Sequence, residues 1–243
     1  GIYRRRFTVP RAWRRRRVVL GFGGVEGALH VLLNGEPVGL SKDSRTPAEF
    51  DVTDLLARYG ENELVAVVLQ WSDASFVEDQ DHWWHAGLSR AVYLRAMGEV
   101  EDVFARAHAD GTLVVGATGG ERVRLLDARG RVVVDEPLRD GRLETGVRSP
   151  RLWTAETAEL YTLEVDDVSL SLGFRTVEIR DGLLLVNGTP IHVHGVNRHE
   201  HDDTRGRAVT QAGMELDARR MKQWNVNAVR TSARCSNACA SSR

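Results

Sequence analysis

The sequence has 243 residues, of which 42% are hydrophobic, which is enough for one large domain or two to three small ones with apolar cores. A formal net charge of -1 gives no electrostatic reason to expect nucleic acid or an anionic membrane as a partner. No apolar run approaches the roughly 18 residues of a membrane-spanning helix. The two cysteines, Cys235 and Cys239, provide no disulfide framework.

The chain opens on a strand-like stretch, with neither an initiator methionine nor a visible signal peptide. We therefore expect that residue 1 is not the natural start, and that the protein is cytoplasmic.

Residues 1–97 are predicted to form a β-sandwich or jelly roll, because short alternating apolar runs are separated by turn residues. The pair Asn34-Gly35 is typical of a two-residue hairpin turn. A further turn is predicted at Gly60-Glu61-Asn62. Residues 64–69 follow it and are apolar on both faces, as in an inner strand.

Residues 98–172 are predicted to form a second, smaller all-β unit. The stretches TLVVGAT, RVRLLDARGRVVVDE and LYTLEVDD indicate its strands, with a turn at residues 127–130. Its length suits an immunoglobulin-like sandwich, although no cysteine pair supports an antibody-like domain.

From residue 173 the pattern predicts a hairpin ladder and then a βαβ unit. Turns are expected at Asp181-Gly182 and Asn187-Gly188. Thr210 is expected to cap a helix, which is followed by the short strand NAVRTS, and this order is that of a βαβ unit. The apolar face of that helix consists of Met214, Ala218, Met221 and Trp224.

The stretch HVHGVNRHEHDD, residues 192–203, contains four of the chain's eight histidines. One interpretation is a zinc site, because His192 and His194 would share a strand face and His199 or His201 would add a third ligand. We favour the alternative, a loop at the C-terminal end of a barrel strand, since that end carries the chemistry of α/β barrels.

In the barrel interpretation His192 and His194 have a structural role and pack within the protein. The residues expected to face the cleft are then Asn197, Arg198, His199 and Glu200. Arg230 ends the next strand at the same rim, where its guanidinium is able to hold a carboxylate ionised. In a chain so rich in arginine, the alternative is a solvated side chain at a strand end.

The stretch WSDASFVEDQDHWWHAGLSRAVYL, residues 71–94, places carboxylates beside aromatic rings. Glu78, Asp79 and Asp81 precede Trp83 and Trp84. Carboxylates accept hydroxyl protons and rings pack on the apolar faces of sugars, so the stretch suits sugar binding. The alternative is a solvated loop whose tryptophans lie in the core.

Four stretches, in this order, together resemble the N-terminal half of a β-galactosidase of glycoside hydrolase family 2. The resemblance covers residues 1 to about 232, and the four stretches are NGEPVGLSKDSRTPAEFDVTDLL, the stretch 71–94, RLWTAETAELYTLEV and GFRTVEIRDGLLLVNGTPIHVHGVNRHEHDD. The sister enzymes β-glucuronidase and β-mannosidase share the architecture, but EDQD and RHEHD are similar to the galactosidase loops.

The resemblance implies a mainly β fold: a jelly-roll sugar-binding domain at 1–97, an immunoglobulin-like β-sandwich at 98–172, and the incomplete start of a (β/α)8 barrel at 173–243. By the same resemblance, Asp81 holds galactosyl hydroxyls and a sodium ion. His199 contacts the sugar near the reaction centre and Arg230 lies beside the nucleophile. Asn197 and Glu200 are their substrate-binding neighbours. Such enzymes use magnesium and sodium and are oligomeric; the magnesium ligands are not expected in this sequence.

The resemblance ends abruptly after the second predicted barrel strand. The family continues R-[ST]-S-H-Y-P, whereas this chain has Ala233 where the active-site histidine is expected, followed by a tail resembling a frameshift or a wrongly placed gene end. Both catalytic glutamates belong to later strands, so no catalytic residue is expected in this sequence. We expect a retaining β-galactosidase by descent, inactive by itself; the alternatives are a non-catalytic carbohydrate-binding fragment, a β-glucuronidase-like member or a metal-binding module.

Overall fold

The computed structural model describes residues 1–44, 46–78 and 84–231. The fold is mainly β, as predicted. The helices are α1 (Asp73–Glu78) and α2 (Gln211–Gln223), with a 3-10 turn at Arg11–Trp13. The strands are β1 (Ile2–Thr8), β2 (Val18–Phe22), β3 (Val25–Glu26), β4 (Ala28–Leu33), β5 (Glu36–Ser41), β6 (Ala48–Asp51), β7 (Glu61–Leu69), β8 (Gly87–Leu88), β9 (Val92–Ala96), β10 (Asp102–Ala107), β11 (Thr112–Thr118), β12 (Arg122–Leu126), β13 (Val132–Pro137), β14 (Arg142–Gly146), β15 (Tyr161–Val165), β16 (Val168–Leu172), β17 (Val177–Arg180), β18 (Leu183–Val186), β19 (Thr189–Pro190), β20 (Gly195–Arg198) and β21 (Ala228–Thr231).

The chain divides into two compact units. The first combines Gly1–Met97 with His199–Met214, and the second combines Gly98–Arg198 with Glu215–Arg230. The residues after 173 are therefore shared between both units. Among residues 1–44, 46–78 and 84–231, no helix is long and apolar enough to cross a lipid bilayer.

The first unit is a jelly-roll sandwich of two antiparallel sheets, ordered β1-β7-β4-β5 and β6-β2-β9. β7 is an inner strand, as its apolar pattern predicted. The predicted turn at Asn34-Gly35 joins β4 to β5, and both residues have positive φ, 55° and 87°. The core is formed by alternate residues of facing strands, including Val18, Leu20, Phe22, Leu29, Val31, Leu33, Ala66 and Val68.

The prediction that Asn62 lies in a turn was wrong, because it is the second residue of β7 and fully buried. Its Oδ1 accepts hydrogen bonds from the Ala57 amide at 2.7 Å and from Asn34 Nδ2 at 2.9 Å. Its Nδ2 donates to the Ala57 carbonyl at 3.1 Å. A buried amide is tolerated when its donors and acceptors are satisfied, and here Asn62 closes the turn that precedes the strand.

The second unit contains an immunoglobulin-like sandwich whose sheets are ordered β10-β11-β14 and β13-β12-β15-β16. The predicted turn at 127–130 joins β12 to β13, and the Gly130 amide donates to the Asp127 carbonyl at 2.8 Å. Tyr161 and Phe174 meet edge to face within the core, with ring centroids 5.0 Å apart. Fully buried aliphatic residues fill the rest, including Leu113, Val115, Val123, Leu125 and Leu163.

The hairpin ladder β17-β18-β19 follows, with the two predicted Asx-Gly turns in place. After it, β20 and β21 lie side by side in a two-stranded sheet, and α2 lies between them in the chain. Thr210 caps α2 as predicted, because its Oγ1 accepts a hydrogen bond from the Gly213 amide at 3.2 Å. The predicted apolar face is not buried: no residue of α2 is buried, and Trp224 just beyond it is 83% exposed.

Candidate functional site

The predicted rim residues Asn197 and Arg230 lie on one two-stranded sheet. Asn197 is the third residue of β20 and Arg230 is the third residue of β21, and both are exposed. Each is therefore one residue from the C-terminal end of its strand, the position expected of a barrel rim. The polar groups of both side chains are accessible from solvent.

Arg198 does not face solvent beside them, which corrects the expectation that it faces a cleft. Its Nη2 and Nε lie 2.7 and 3.0 Å from Oδ2 of Asp217 on α2. The arginine side chain is only 12% exposed. Successive side chains of a strand point to opposite faces, so Arg198 turns towards the helix when Asn197 turns away from it.

His199 and Glu200 belong to the first unit and differ sharply in burial. His199 is exposed, whereas Glu200 is 4% exposed. Oε1 of Glu200 lies 4.0 Å from Nη2 of Arg90, whose side chain is also largely buried. The Glu200 carboxylate is therefore held against the sandwich of the first unit, and its part in substrate binding stays a prediction.

The residues after Glu200 form a tight turn. Oδ1 of Asp202 accepts hydrogen bonds from the amides of Thr204 and Arg205, each at 3.0 Å, and from the Thr204 hydroxyl at 2.7 Å. Asp202 and Gly206 also exchange backbone hydrogen bonds of 2.7 and 2.9 Å. The Thr204 hydroxyl, followed by the Thr204 amide, lowers the pKa of the Asp202 carboxyl below its ordinary value. An ionised aspartate therefore fixes the direction in which the chain leaves the turn.

The chain leaves the turn at Arg207, which forms a second buried ion pair. Its Nε lies 2.6 Å from Oε1 of Glu26 in β3, and both side chains are buried or nearly so. Sequence reasoning missed Glu26, Arg90 and Arg207. One signal was available: Glu26 is the only formally charged residue in the apolar run 18–33. A lone acid in such a run requires a partner.

The side chains of the two histidines at the start of the stretch are not buried within the protein, contrary to the expectation that they pack there; their rings contact each other. His192 and His194 are exposed, with ring centroids 4.8 Å apart. Their backbones are fixed by Asn227, whose Nδ2 donates to the His192 carbonyl at 2.8 Å and whose Oδ1 accepts from the His194 amide at 2.8 Å. Within the described part of the chain, no three His, Cys, Asp or Glu residues come together to hold a metal ion.

The carboxylate-tryptophan stretch is described only at its flanks. Asp79, Asp81 and Trp83 lie outside the described residues, as does the tail from Ala233. Glu78 ends α1 and accepts a hydrogen bond from the Ser44 amide at 3.0 Å. Trp84 is not in the core as the alternative interpretation held. It is exposed and meets Trp71 edge to face, with centroids 5.2 Å apart.

Comparison with known families identifies the family to which the chain belongs. The model of the family 2 glycosyl hydrolase sugar binding domain matches residues 1–97, and the TIM barrel domain model of the same family matches residues 177–236. The chain belongs to glycosyl hydrolase family 2. The match to the barrel model includes β20, α2 and β21, and with them Asn197, His199 and Arg230.

Several curated relatives of this family 2 chain are named β-galactosidase. Those of Priestia megaterium and an Arthrobacter species are 41% and 40% identical to it, each over 96% of this chain. The chain spans about a quarter of their length, 26% and 24% respectively.

Solved structures of the family share the fold. A β-glucuronidase from an uncultured Clostridium species superposes with a TM-score of 0.83 at 28% identity, over 95% of this chain and 44% of that one. A β-glucuronidase of Ruminococcus gnavus gives a TM-score of 0.81 at 24% identity, over 95% of this chain and 46% of that one.

Proposed function

We propose that this family 2 chain is the N-terminal, sugar-binding part of a β-galactosidase. Such an enzyme releases terminal non-reducing β-D-galactose from β-D-galactosides such as lactose. The observation that carries the proposal is the 41% identity, over 96% of the chain, with a relative named β-galactosidase. The exposed positions of Asn197, His199 and Arg230 are consistent with it. Cytoplasmic location, oligomeric assembly and the use of magnesium and sodium are parts of the proposal that follow from the resemblance alone.

In a retaining glycosidase, one carboxylic acid protonates the leaving oxygen and a carboxylate about 5–5.5 Å away attacks the anomeric carbon. The resemblance assigns neither role to a residue of this sequence. Its residues would bind and position: His199 and Asn197 hydrogen-bond sugar hydroxyls, and Arg230 keeps a neighbouring carboxylate ionised. Asp81 would hold galactosyl hydroxyls, and a sodium ion there would add a fixed positive charge. Because Asp81 lies outside the described residues, no step is assigned to that ion.

The proposal predicts binding without turnover for the polypeptide of residues 1–243. We expect no hydrolysis of a chromogenic β-galactoside above a contaminant blank. We also expect methyl β-galactoside to shift the His199 imidazole resonances in NMR spectra, and His199→Ala to weaken binding where His30→Ala does not. His30 is a suitable control because it is an exposed histidine of the same unit. Turnover, or binding unaffected by His199→Ala, would contradict the proposal.

A second candidate is a β-glucuronidase, favoured by the 28% identical structural neighbour of that name. A glucuronide has a carboxylate where a galactoside has the C6 hydroxymethyl group, and the opposite configuration at C4; the carboxylate requires a cationic partner in the site. Larger shifts of the His199 resonances with methyl β-glucuronide than with methyl β-galactoside would favour this candidate. Resonances that shift with neither glycoside would exclude sugar binding by residues 1–243 under the conditions used.

A further inference from the structure

We propose that two crossed ion pairs dock residues 199–207 onto the sandwich of the first unit and thereby position His199. The pairs are Glu26 with Arg207 and Arg90 with Glu200. The positioning of His199 for a sugar rests on the proposed function, whereas the docking itself is independent of it. Glu26, Arg90 and Arg207 are positioning residues in this inference.

The first support is burial. Among the described residues, the buried polar or charged side chains are Glu26, Asn62 and Glu200, at 5%, 0% and 4% exposure. Both acids face an arginine that belongs to the other segment. Removing a carboxylate from water is unfavourable unless a cation and hydrogen bonds replace the lost hydration. The arginine partners of the two acids therefore favour the docked over the undocked arrangement.

The second support is the crossed arrangement of charge. The sandwich supplies one acid and one arginine, Glu26 and Arg90, and the segment 199–207 supplies the complementary acid and arginine. A segment docked in the reverse direction would bring acid against acid and arginine against arginine. Like charges in a buried contact discriminate strongly against the wrong arrangement. The pairs therefore fix the direction and register of the segment.

Two paired strands of the first unit hold Glu26 and Arg90 close together, which is a third reason for the inference. Glu26 lies in β3, which pairs with β8, and Arg90 follows β8 by two residues. A Cβ atom at Gly24 would lie 3.1 Å from Cγ and Cδ of Arg90, and one at Gly23 would lie 3.2 Å from its Cβ. The two glycines that precede β3 thus leave the space that the Arg90 side chain occupies.

The fourth support is the turn between the two anchors. Glu200 and Arg207 lie on either side of the Asp202–Gly206 turn, so both ends of the turn are tied to the sandwich. His199 immediately precedes Glu200. The backbone of His199 is therefore fixed by the buried Glu200 while its side chain stays exposed. A residue that binds a ligand in a defined geometry needs such a fixed backbone.

The test compares docking variants of the polypeptide of residues 1–243. We expect Glu26→Gln and Arg207→Met each to speed amide exchange of residues 199–207 by about tenfold or more, which is the order expected for losing a hydrogen bond to a charged group. Both should also shift the His199 imidazole resonances while leaving those of His30 unchanged. The charge-swapped double variant Glu26→Arg with Arg207→Glu should restore part of the protection.

Glu49→Gln is the matched control, because Glu49 pairs with Arg95 in the same unit through side chains that are both well exposed. It should leave residues 199–207 unaffected. Unchanged exchange in Glu26→Gln and Arg207→Met, with the β4 and β7 amides still protected, would overturn the docking. Faster exchange with His199 resonances unmoved would overturn the positioning role. A third outcome is faster exchange and shifted His199 resonances in the variants, together with a wild type that binds no galactoside. It would uphold the docking and count against the proposed function.

Discussion

The ion pairs of individual arginines contribute differently to the stability of this chain, and the burial of each pair determines how much. Arg17 pairs with Asp51 at 2.7 Å, but both side chains are about half exposed. Exposed pairs of this kind contribute at most about 1 kcal/mol, because water screens the attraction. Arg207 pairs with Glu26 at a similar distance, with both side chains at least 85% removed from solvent. Loss of one partner there removes the counterion of a buried charge, so the same contact has a larger effect on stability.

Asp51 provides a pH test at the residue scale. Hydrogen bonds from the Thr53 side chain and amide, and then from Arg17, lower the pKa of Asp51 from 3.8 to about 2. A pKa that is lower in the folded state contributes stability above the unfolded value of 3.8, and that contribution is lost as the pH falls through about 2. We expect the urea midpoint of Asp51→Asn to change less between pH 4 and pH 2 than that of the wild type.

The exposed neighbour Asp54 supplies the control, since no hydrogen bond or ion pair to its side chain is found among the described residues. Asp54→Asn should follow the wild-type pH dependence. Parallel curves for Asp51→Asn and the wild type would show that the Asp51 contacts have no effect on folding.

At the scale of elements, local chemistry was predictable and distant pairing was not. The Asn34-Gly35 turn and the Thr210 cap were confirmed, because each depends on residues within a few positions of one another. Asn62 was misplaced because its partner Asn34 lies 28 residues away. The six-residue helix α1 was not predicted, since it is too short to show a 3.6-residue period.

The cap of α2 is open to a direct test. Thr210→Ala removes the oxygen that accepts from the Gly213 amide, which should cost about 1 kcal/mol of helix stability. Because no residue of α2 is buried, packing does little to compensate for the loss. We expect amide exchange of residues 214–223 to speed up roughly fivefold, given that about 1.4 kcal/mol corresponds to tenfold. Thr210→Ser keeps the hydroxyl and should preserve most of the protection; equal exchange in both variants would show that the cap is unimportant.

At the scale of the whole molecule, the mainly β class was predictable from alternation and turn residues, whereas the candidate site was predictable only in part. The positions of Asn197 and Arg230 near the strand ends followed from the βαβ order. The burial of Glu200 did not follow, because it depends on Arg90, which is far away in sequence and carries no local signal. Residues in a rim loop look alike in sequence whether they face a ligand or the protein.

The distribution of buried apolar residues predicts that the chain is not uniformly stable. Both sandwiches have fully buried cores, whereas large apolar side chains of the segment 177–231 remain exposed; they include Val177, Ile179, Leu183, Val193 and Trp224. Apolar burial is the main source of stability, contributing about 25 cal/mol per Å², so elements that bury little open at low free energy. The ladder β17-β18-β19 and helix α2 should therefore open locally without global unfolding.

Native-state hydrogen exchange of the polypeptide of residues 1–243 measures this directly. We expect the amides of β4, β7, β11 and β15 to exchange only through global opening of their sandwiches, with a denaturant dependence to match. Amides of β18, β20 and α2 should exchange orders of magnitude faster and with little denaturant dependence, because their opening exposes little new surface. Leu185, the buried residue of β18, is an internal standard, since its neighbourhood should be the best protected of that ladder. Protection of β18, β20 and α2 equal to that of β4 would show that sheet and helix hydrogen bonds stabilise these elements without a buried core.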